Sequence, residues 1–426
     1  MPNLKQNKKL KLGGLMNSFK TVIVTILMLL FITVAFASES RVISMGGVYG
    51  FLRDDTDVMR YPGTIHSYNR LVFAEMRSWN NKSNWSIGGN IPFYTNVFGF
   101  RFNVPTDLGL YDFDYNDGLY RYWDDIDMDH KINFIFGFMD NFGVGLSMAM
   151  DQASKTIQVY YDEEEEEIIE LEQKMDALLL EFMGGYSNEI LDIGLTLQLP
   201  TSTLENEYNL DKGELSGLLL GLNCRYFVIE ETNFSLMTIL DFKLSNTSFE
   251  FKEYFDDTLY STNKDDHSLL ALSFGIGINY QINDNNLLVL GLKPLGMTKT
   301  THEEEYLLID TDKEVTKIEQ TITTLPEYRV GLESRISSWL TGRVGAYQQY
   351  HFIGYEENFT LGDESYLIEK YSYYESNFNV SIGFAVNFRN FTIDGVLSDS
   401  FFFDGPNFIG GKSNGIATQL SLKYSF

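Results

Sequence analysis

From about residue 70 onward, large apolar side chains take every second position and small or polar ones fall between them. In the stretch Phe142 to Met150 the first set is Phe142, Val144, Leu146, Met148 and Met150, and the second is Gly143, Gly145, Ser147 and Ala149. Only a strand has a period of two. The same alternation marks Phe98 to Val104, Ile132 to Phe138, Leu191 to Leu199, Leu218 to Val228, Leu270 to Tyr280 and Phe378 to Phe388. It also marks the last stretch, Gly415 to Phe426, where Thr418, Leu420, Leu422, Tyr424 and Phe426 oppose Gln419, Ser421, Lys423 and Ser425. One face is apolar enough for hydrocarbon and the other suits a wet interior, which separates these strands from core strands packed on both faces.

The links between strands come in two kinds. Those between Met139 and Phe142, Ser187 and Leu191, Glu230 and Phe234, Ile282 and Leu287, Ser337 and Leu340, and Phe388 and Phe391 are a few residues long and read as tight turns. The others read as long loops: Pro105 to His130, Asp151 to Asp176, Pro200 to Leu215, Ser245 to His267, Thr298 to Leu325, Phe352 to Ser376 and Phe401 to Asn414. Alternating short and long links are the asymmetry of outer-membrane barrels. With strands also expected at Leu71 to Met76 and Trp85 to Gly89, residues 70–426 are predicted to form an all-β fold, a transmembrane antiparallel β-barrel of 14–16 strands. The aromatic ending, with Tyr424 and Phe426, resembles the C-terminal signal by which outer-membrane barrels are recognised for assembly, and implies the barrel assembly machinery as a partner.

Residues 1–37 have the parts of a signal peptide: a basic region to Lys20, an apolar run from Thr21 to Phe36, and Ala35-Phe36-Ala37 before Ser38. An uncleaved anchor is the alternative, and Met16 is an alternative start. Residues 38–69 lack strand alternation and form an expected periplasmic segment. It carries Gly46-Gly47, Asp54-Asp55, Asp57 and Tyr61-Pro62-Gly63. This stretch resembles the N-terminal segment of FadL-type long-chain fatty acid transporters and their PorV-like relatives. Those proteins have a Gly-Gly, a short apolar run, an Asp-Asp and then Asn-Pro-Ala. Here Tyr61 stands in place of the Asn and Gly63 in place of the Ala. The resemblance implies a hatch that folds into the barrel, with Gly46, Gly47, Asp54, Asp55, Asp57 and Pro62 as its marked positions. The residues alone are equally compatible with plain turns and solvated acids.

The formal charge is −27, and loss of residues 1–37 removes five lysines and no acid, leaving −32. So acidic a surface repels nucleic acid. The single cysteine, Cys224, lies on an apolar face and allows no intramolecular disulfide. Acid concentrates between the strands, with eight Asp in Pro105 to His130 and six carboxylates in Asp162 to Glu167. Asp112, Asp114 and Asn116 have the spacing of a calcium loop without its glycine or its final carboxylate, so a weak calcium site stands against a plain solvated loop. Divalent ions bridging the acids to lipopolysaccharide phosphates are a further expectation. No other cofactor is indicated.

Strict alternation turns Arg101, Arg225, Lys243, Lys293, Arg329, Arg335, Arg343 and Lys423 inward, with Asp192, Asp241, Glu333 and Asp394. The surplus of base either pairs with Asp54, Asp55 and Asp57 of the hatch or stays among the lumen charges themselves. None of the five histidines falls in a catalytic or zinc motif, so no enzyme is expected, although His351 beside loop acids could form an assembled site. The expected protein is a barrel of the cell outer membrane, surrounded by lipid and lipopolysaccharide, passing small hydrophobic molecules. The alternatives are a PorV-like barrel that binds exported protein cargo, and a general porin. The acid-rich loops offer no evident apolar capture groove.

Overall fold

The computed structural model describes residues 39–79, 82–104, 131–160, 168–206, 212–255, 258–308, 313–397 and 417–426. The proposed signal peptide, the candidate calcium residues Asp112, Asp114 and Asn116, and the acidic run Asp162 to Glu167 lie outside them.

Sixteen antiparallel strands close into one barrel in which each pairs with its neighbours in sequence and β1 pairs with β16. They are β1 (Leu71–Trp79), β2 (Lys82–Phe93), β3 (Asn96–Val104), β4 (Lys131–Phe138), β5 (Phe142–Tyr160), β6 (Ile168–Ser187), β7 (Leu191–Asn206) and β8 (Lys212–Glu230). The second half comprises β9 (Phe234–Phe255), β10 (Thr258–Asn283), β11 (Asn286–Leu308), β12 (Glu314–Arg335), β13 (Leu340–Leu361), β14 (Glu364–Phe388), β15 (Phe391–Leu397) and β16 (Ala417–Ser425). Closure of the sheet on itself is the condition for strand backbone in hydrocarbon; among the described residues β14 bonds β15 from Ile382 to Phe388. The final strand does the closing: Val72 stands opposite Tyr424 and Ala74 opposite Leu422. Tyr424 packs its ring on Phe391 at 4.6 Å and Phe426 follows at 6.2 Å.

Side chains sort by parity. Phe134, Phe136, Phe142, Val144, Leu146, Leu195, Leu220, Phe274 and Leu290 face outward and are exposed, while Asn133, Ser147, Asp192 and Arg225 are buried inside. An exposed apolar wall around a polar interior is stable only in lipid, which places this barrel in an outer membrane. No helix among the described residues is long and apolar enough to cross a membrane. Cys224 stands on the outer face between Ile193 and Leu240.

Most of the expected long loops are instead strand. The β5–β6 ladder continues to Tyr160 and Ile168, the β9–β10 ladder to Phe255 and Thr258, and the β13–β14 ladder to Leu361 and Glu364. These hairpins rise past the apolar belt, where the outward face also meets water and an outward-apolar alternation no longer has a cause. On the neighbouring strands β10 to β12 some acids have cross-strand cations, while others, such as Glu357 and Glu369 of β13 and β14, stand opposite one another. Lys299 meets Glu319 at 2.8 Å and His302 meets Asp265 at 2.6 Å.

Inside the barrel, at the end carrying the short turns, lie residues 39–69. They form helix α1 (Glu39–Ser44), a short helix α2 (Asp57–Arg60) and a 3₁₀ turn (Pro62–Tyr68). Val42, Met45, Val48 and Phe51 are buried against Ile239 and Val289 of the inner wall. Val58 and Ile65 pack on Val97, Ile135 and Met183.

Candidate functional site

The contact between residues 39–69 and the wall is possible because the wall is lined there with glycine. A Cβ on Gly345 would come within 2.0 Å of the Gly46 amide, and one on Gly143 within 2.2 Å of the Pro62 carbonyl. Pro62 also presses on Gly185, and Gly194 lies against the Arg60 carbonyl. Phe51 sits in a cradle of Gly275, Gly277 and Gly291. Gly46 and Gly47 have φ of 80° and 63°, a region that side chains with a Cβ rarely adopt. The Gly46 amide donates to Ser381 Oγ at 2.9 Å, and Arg329 donates to the Gly47 carbonyl.

Around this backbone contact runs a network of charges. Arg225, with no exposed surface, bonds Asp57 at 2.7 Å and Asp192 at 2.7 Å, and lies 4.8 Å over the Tyr61 ring. Lys423 meets Asp55 at 3.3 Å. Asp54 is held at 2.9 Å by Arg41, a residue of the inner segment itself, which continues to Glu333 at 2.8 Å. Arg343 completes that chain, 2.6 Å from Glu333 and in contact with Asp394. Two further cations of the segment reach wall acids: Arg53 bonds Asp192 at 3.0 Å, and Arg60 bonds Asp241. The pairing is therefore reciprocal, with acids of the segment on wall bases and bases of the segment on wall acids.

The other inward positions divide. Arg101 is buried 3.2 Å from Met59 and 5.0 Å over the Phe73 ring. Lys293 lies 3.6 Å from Glu327, which also contacts Arg329. Arg335 departs from the expectation: it has inward parity but stands exposed at the rim, where β12 has outrun the lumen. Sequence reading missed Arg41, Arg53 and Arg60, because nonperiodic chain gives no rule for aiming a side chain. It also passed over Glu75, Arg77, Lys131 and Glu181, which alternation could have found. Arg77 bonds Glu75 at 2.7 Å, and Lys131 bonds Glu181 at 3.3 Å.

Burial sets the protonation of the segment's acids. It pushes the Asp55 carboxyl up to about 8, opposed by Lys423 and assisted by Asp54. Asp57 is raised for the same reason, with Arg225 opposing. Glu333 and Asp54 beside Arg41 outweigh burial and raise its guanidinium.

Directly outward of the segment, the wall encloses a cavity of about 490 Å³ lined by Arg60, Leu219, Asp241, Lys243, Lys293 and Glu327. Farther out, inward positions turn apolar again: Leu179, Leu215, Leu219, Phe249, Phe251 and Leu269 are all buried there. Acid-rich sequence around these residues hid this wall. Between the cavity and lipid, the β11–β12 ladder breaks from Lys293/Glu327 to Gly296/Thr324, where Pro294 and Pro326 supply no amide. His351 bonds Thr324 at 3.0 Å and assembles no site with loop acids among its described contacts. Among the described residues no group of His, Cys, Asp and Glu could hold a metal ion.

No family model matches the chain, and no curated protein matches it. Among solved structures it is similar to the toluene transporter TodX of Pseudomonas putida, with 10% identity over 90% of this chain and 94% of that one, TM-score 0.37. It is also similar to the CymD monoaromatic hydrocarbon channel, with 10% identity over 90% and 96%, TM-score 0.35. A third is the ferric yersiniabactin uptake receptor FyuA of Yersinia pestis, with 8% identity over 84% and 80%, TM-score 0.33.

Proposed function

We propose that the protein carries small hydrophobic molecules passively across the outer membrane, and that residues 39–69 are a hatch displaced during passage. The observation that carries this reading is the layering of the lumen. An apolar inner wall, Leu215, Phe249, Phe251 and Leu269, leads inward to the cavity, and the charge-locked segment lies beneath it. Apolar surface facing the lumen has no role in conducting ions and gives a hydrophobic solute a place to leave water. Lys243 and Lys293 at the base of that wall suit a solute with an anionic end, such as a fatty acid. The resemblance of the Gly-Gly and Asp-Asp stretch to FadL-type transporters points the same way. A general porin is disfavoured because the segment fills the lumen.

A second reading, a PorV-like barrel that binds exported protein, is favoured by one feature. Both faces of β14 from Glu364 to Asn379 are exposed, with Tyr366, Tyr371, Tyr373 and Tyr374 on display.

A tether separates the two. Ser40 and Ser421 share a hydrogen bond through their hydroxyls across the segment–wall contact. With Cys224 replaced by Ser, a Ser40→Cys/Ser421→Cys pair can be oxidised to pin the segment. Liposomes carrying the reduced protein should take up labelled long-chain fatty acid, oxidation should abolish uptake, and reductant should restore it. Uptake indifferent to the tether removes the hatch, and absence of uptake beside co-purified secreted protein favours the second reading.

A further inference from the structure

The outer face of β10–β14 carries two features that hatch and lumen do not use. The first is a groove of about 470 Å³ on the lipid side, lined by Ile278, Leu290, Leu292, Val330, Ala346 and Phe378. Its cause is local: Ala346 stands between Val330 and Val380 on the neighbouring strands, so one small side chain leaves a hollow among larger ones. The second lies farther out on the same strands. Lys299 and Lys317 flank Glu319 at 2.8 and 3.0 Å, and Lys370 pairs with Glu356, which stands opposite Glu319 in the ladder. Three lysines thus stand among three glutamates, since Glu303 lies opposite Lys317 in the β11–β12 ladder, on a protein whose overall charge is −27. Between groove and lysines lie stacked aromatics, with Tyr374 5.5 Å from Phe352 and 6.0 Å from Tyr350.

The heights agree with a bilayer. At about 3.3 Å per residue and a tilt of about 40°, Lys299 stands roughly 33 Å above the inner turn at Asn286, whereas Leu290 and Leu292 stand roughly 10–15 Å above it. A hydrocarbon core of about 30 Å therefore places the groove near its middle, the aromatics near its outer boundary and Lys299 at the headgroups, while Lys317 and Lys370, farther along their strands from Arg335 and Phe388, stand roughly 45 Å up and reach back toward the same headgroups. We propose that this wall binds one anionic lipid of the outer leaflet, its phosphates on Lys299, Lys317 and Lys370 and an acyl chain in the groove beside Ala346. The charge complementarity selects a phosphorylated lipid over a neutral one, and the groove selects a lipid over free phosphate. Each lysine exchanges a shared carboxylate for a phosphate oxygen, and the released Glu319 and Glu356 stay in water. The proposal rests on the transmembrane barrel and not on transport through it.

Native mass spectrometry of the purified barrel tests it, with bisphosphorylated lipid A, its fully dephosphorylated form, and inorganic phosphate as probes. The unaltered protein should retain the bisphosphorylated lipid, and the dephosphorylated form should be retained at least tenfold less. Lys299→Gln/Lys317→Gln/Lys370→Gln should lose retention at least tenfold, and Ala346→Phe, which fills the groove, about threefold or more. Both variants should keep the heat-dependent gel shift of a folded barrel, and Lys212→Gln/Lys252→Gln, on strands outside the site, should bind like the parent. Equal retention of the two lipids, unchanged retention in the triple variant or in Ala346→Phe, or displacement of the lipid by millimolar inorganic phosphate would each overturn the assignment.

Discussion

Arg225 shows what one side chain does in this lumen. It has no exposed surface, and its two acids come from opposite parties, Asp57 from the inner segment and Asp192 from the wall. Removing such a cation leaves Asp57 buried without a cationic partner and Asp192 with Arg53 alone, at a cost of about 3–5 kcal/mol. Arg225→Gln is therefore expected to lower the temperature at which the folded gel form is lost and to raise channel activity in planar bilayers. Unchanged behaviour on both would show that the pairing is incidental. Asp55 adds a dependence on pH. Burial raises its carboxyl from the ordinary carboxylate range to about 8, against Lys423 and with Asp54 beside it. The protonated form thus belongs to the seated segment. The stability it contributes is complete below the ordinary range and is lost as pH climbs through about 8. Openings should become more frequent as pH rises from about 4 to about 8 and level off above it, and Asp55→Asn should flatten that slope; an equal slope in the variant would assign the effect elsewhere. Of these residues, the inward bases and Asp54, Asp55 and Asp57 were legible by parity and motif. Arg41, Arg53 and Arg60 were not, since Arg41 finds Glu333 across 292 residues of chain and no local pattern announces it.

Among the elements, strand and seal obey different rules. Strands inside the membrane were legible because lipid and water impose opposite demands on successive residues. The upper halves of β9 to β14 were not, because past the belt the outward face also meets water, so the outward-apolar contrast is lost and at Phe249 and Phe251 it reverses, the apolar side chains turning inward. There the ladder is kept by its backbone bonds and by pairs such as Lys299 with Glu319. The seal depends on what the wall lacks. Gly345 and Gly143 are inward positions where a side chain would strike the backbone of the segment. Gly345→Val is expected to leave the barrel folded and heat-modifiable while raising mean conductance severalfold, because the segment can no longer seat. A barrel that conducts as before would show that the contact at Gly46 closes nothing.

At the scale of the molecule, three layers lie along one axis: a charge-locked segment at the inner end, a mixed cavity above it, and an apolar inner wall beyond. The sequence disclosed the barrel and left residues 39–69 open between a hatch and plain turns, yet it concealed the apolar wall, because Phe249 and Phe251 alternate with Glu250 and Lys252 in what read as an acidic loop. Under the transport proposed above, a hydrophobic solute would leave water at Phe249 and Phe251, meet Lys243 and Lys293, and wait on the segment. The most direct test of this arrangement is single-channel conductance of the full barrel beside one lacking residues 39–68. The full barrel should be closed for most of the recording and the truncated one should hold a large, steady open level. Equal conductance in the two would contradict the claim that this segment closes the lumen.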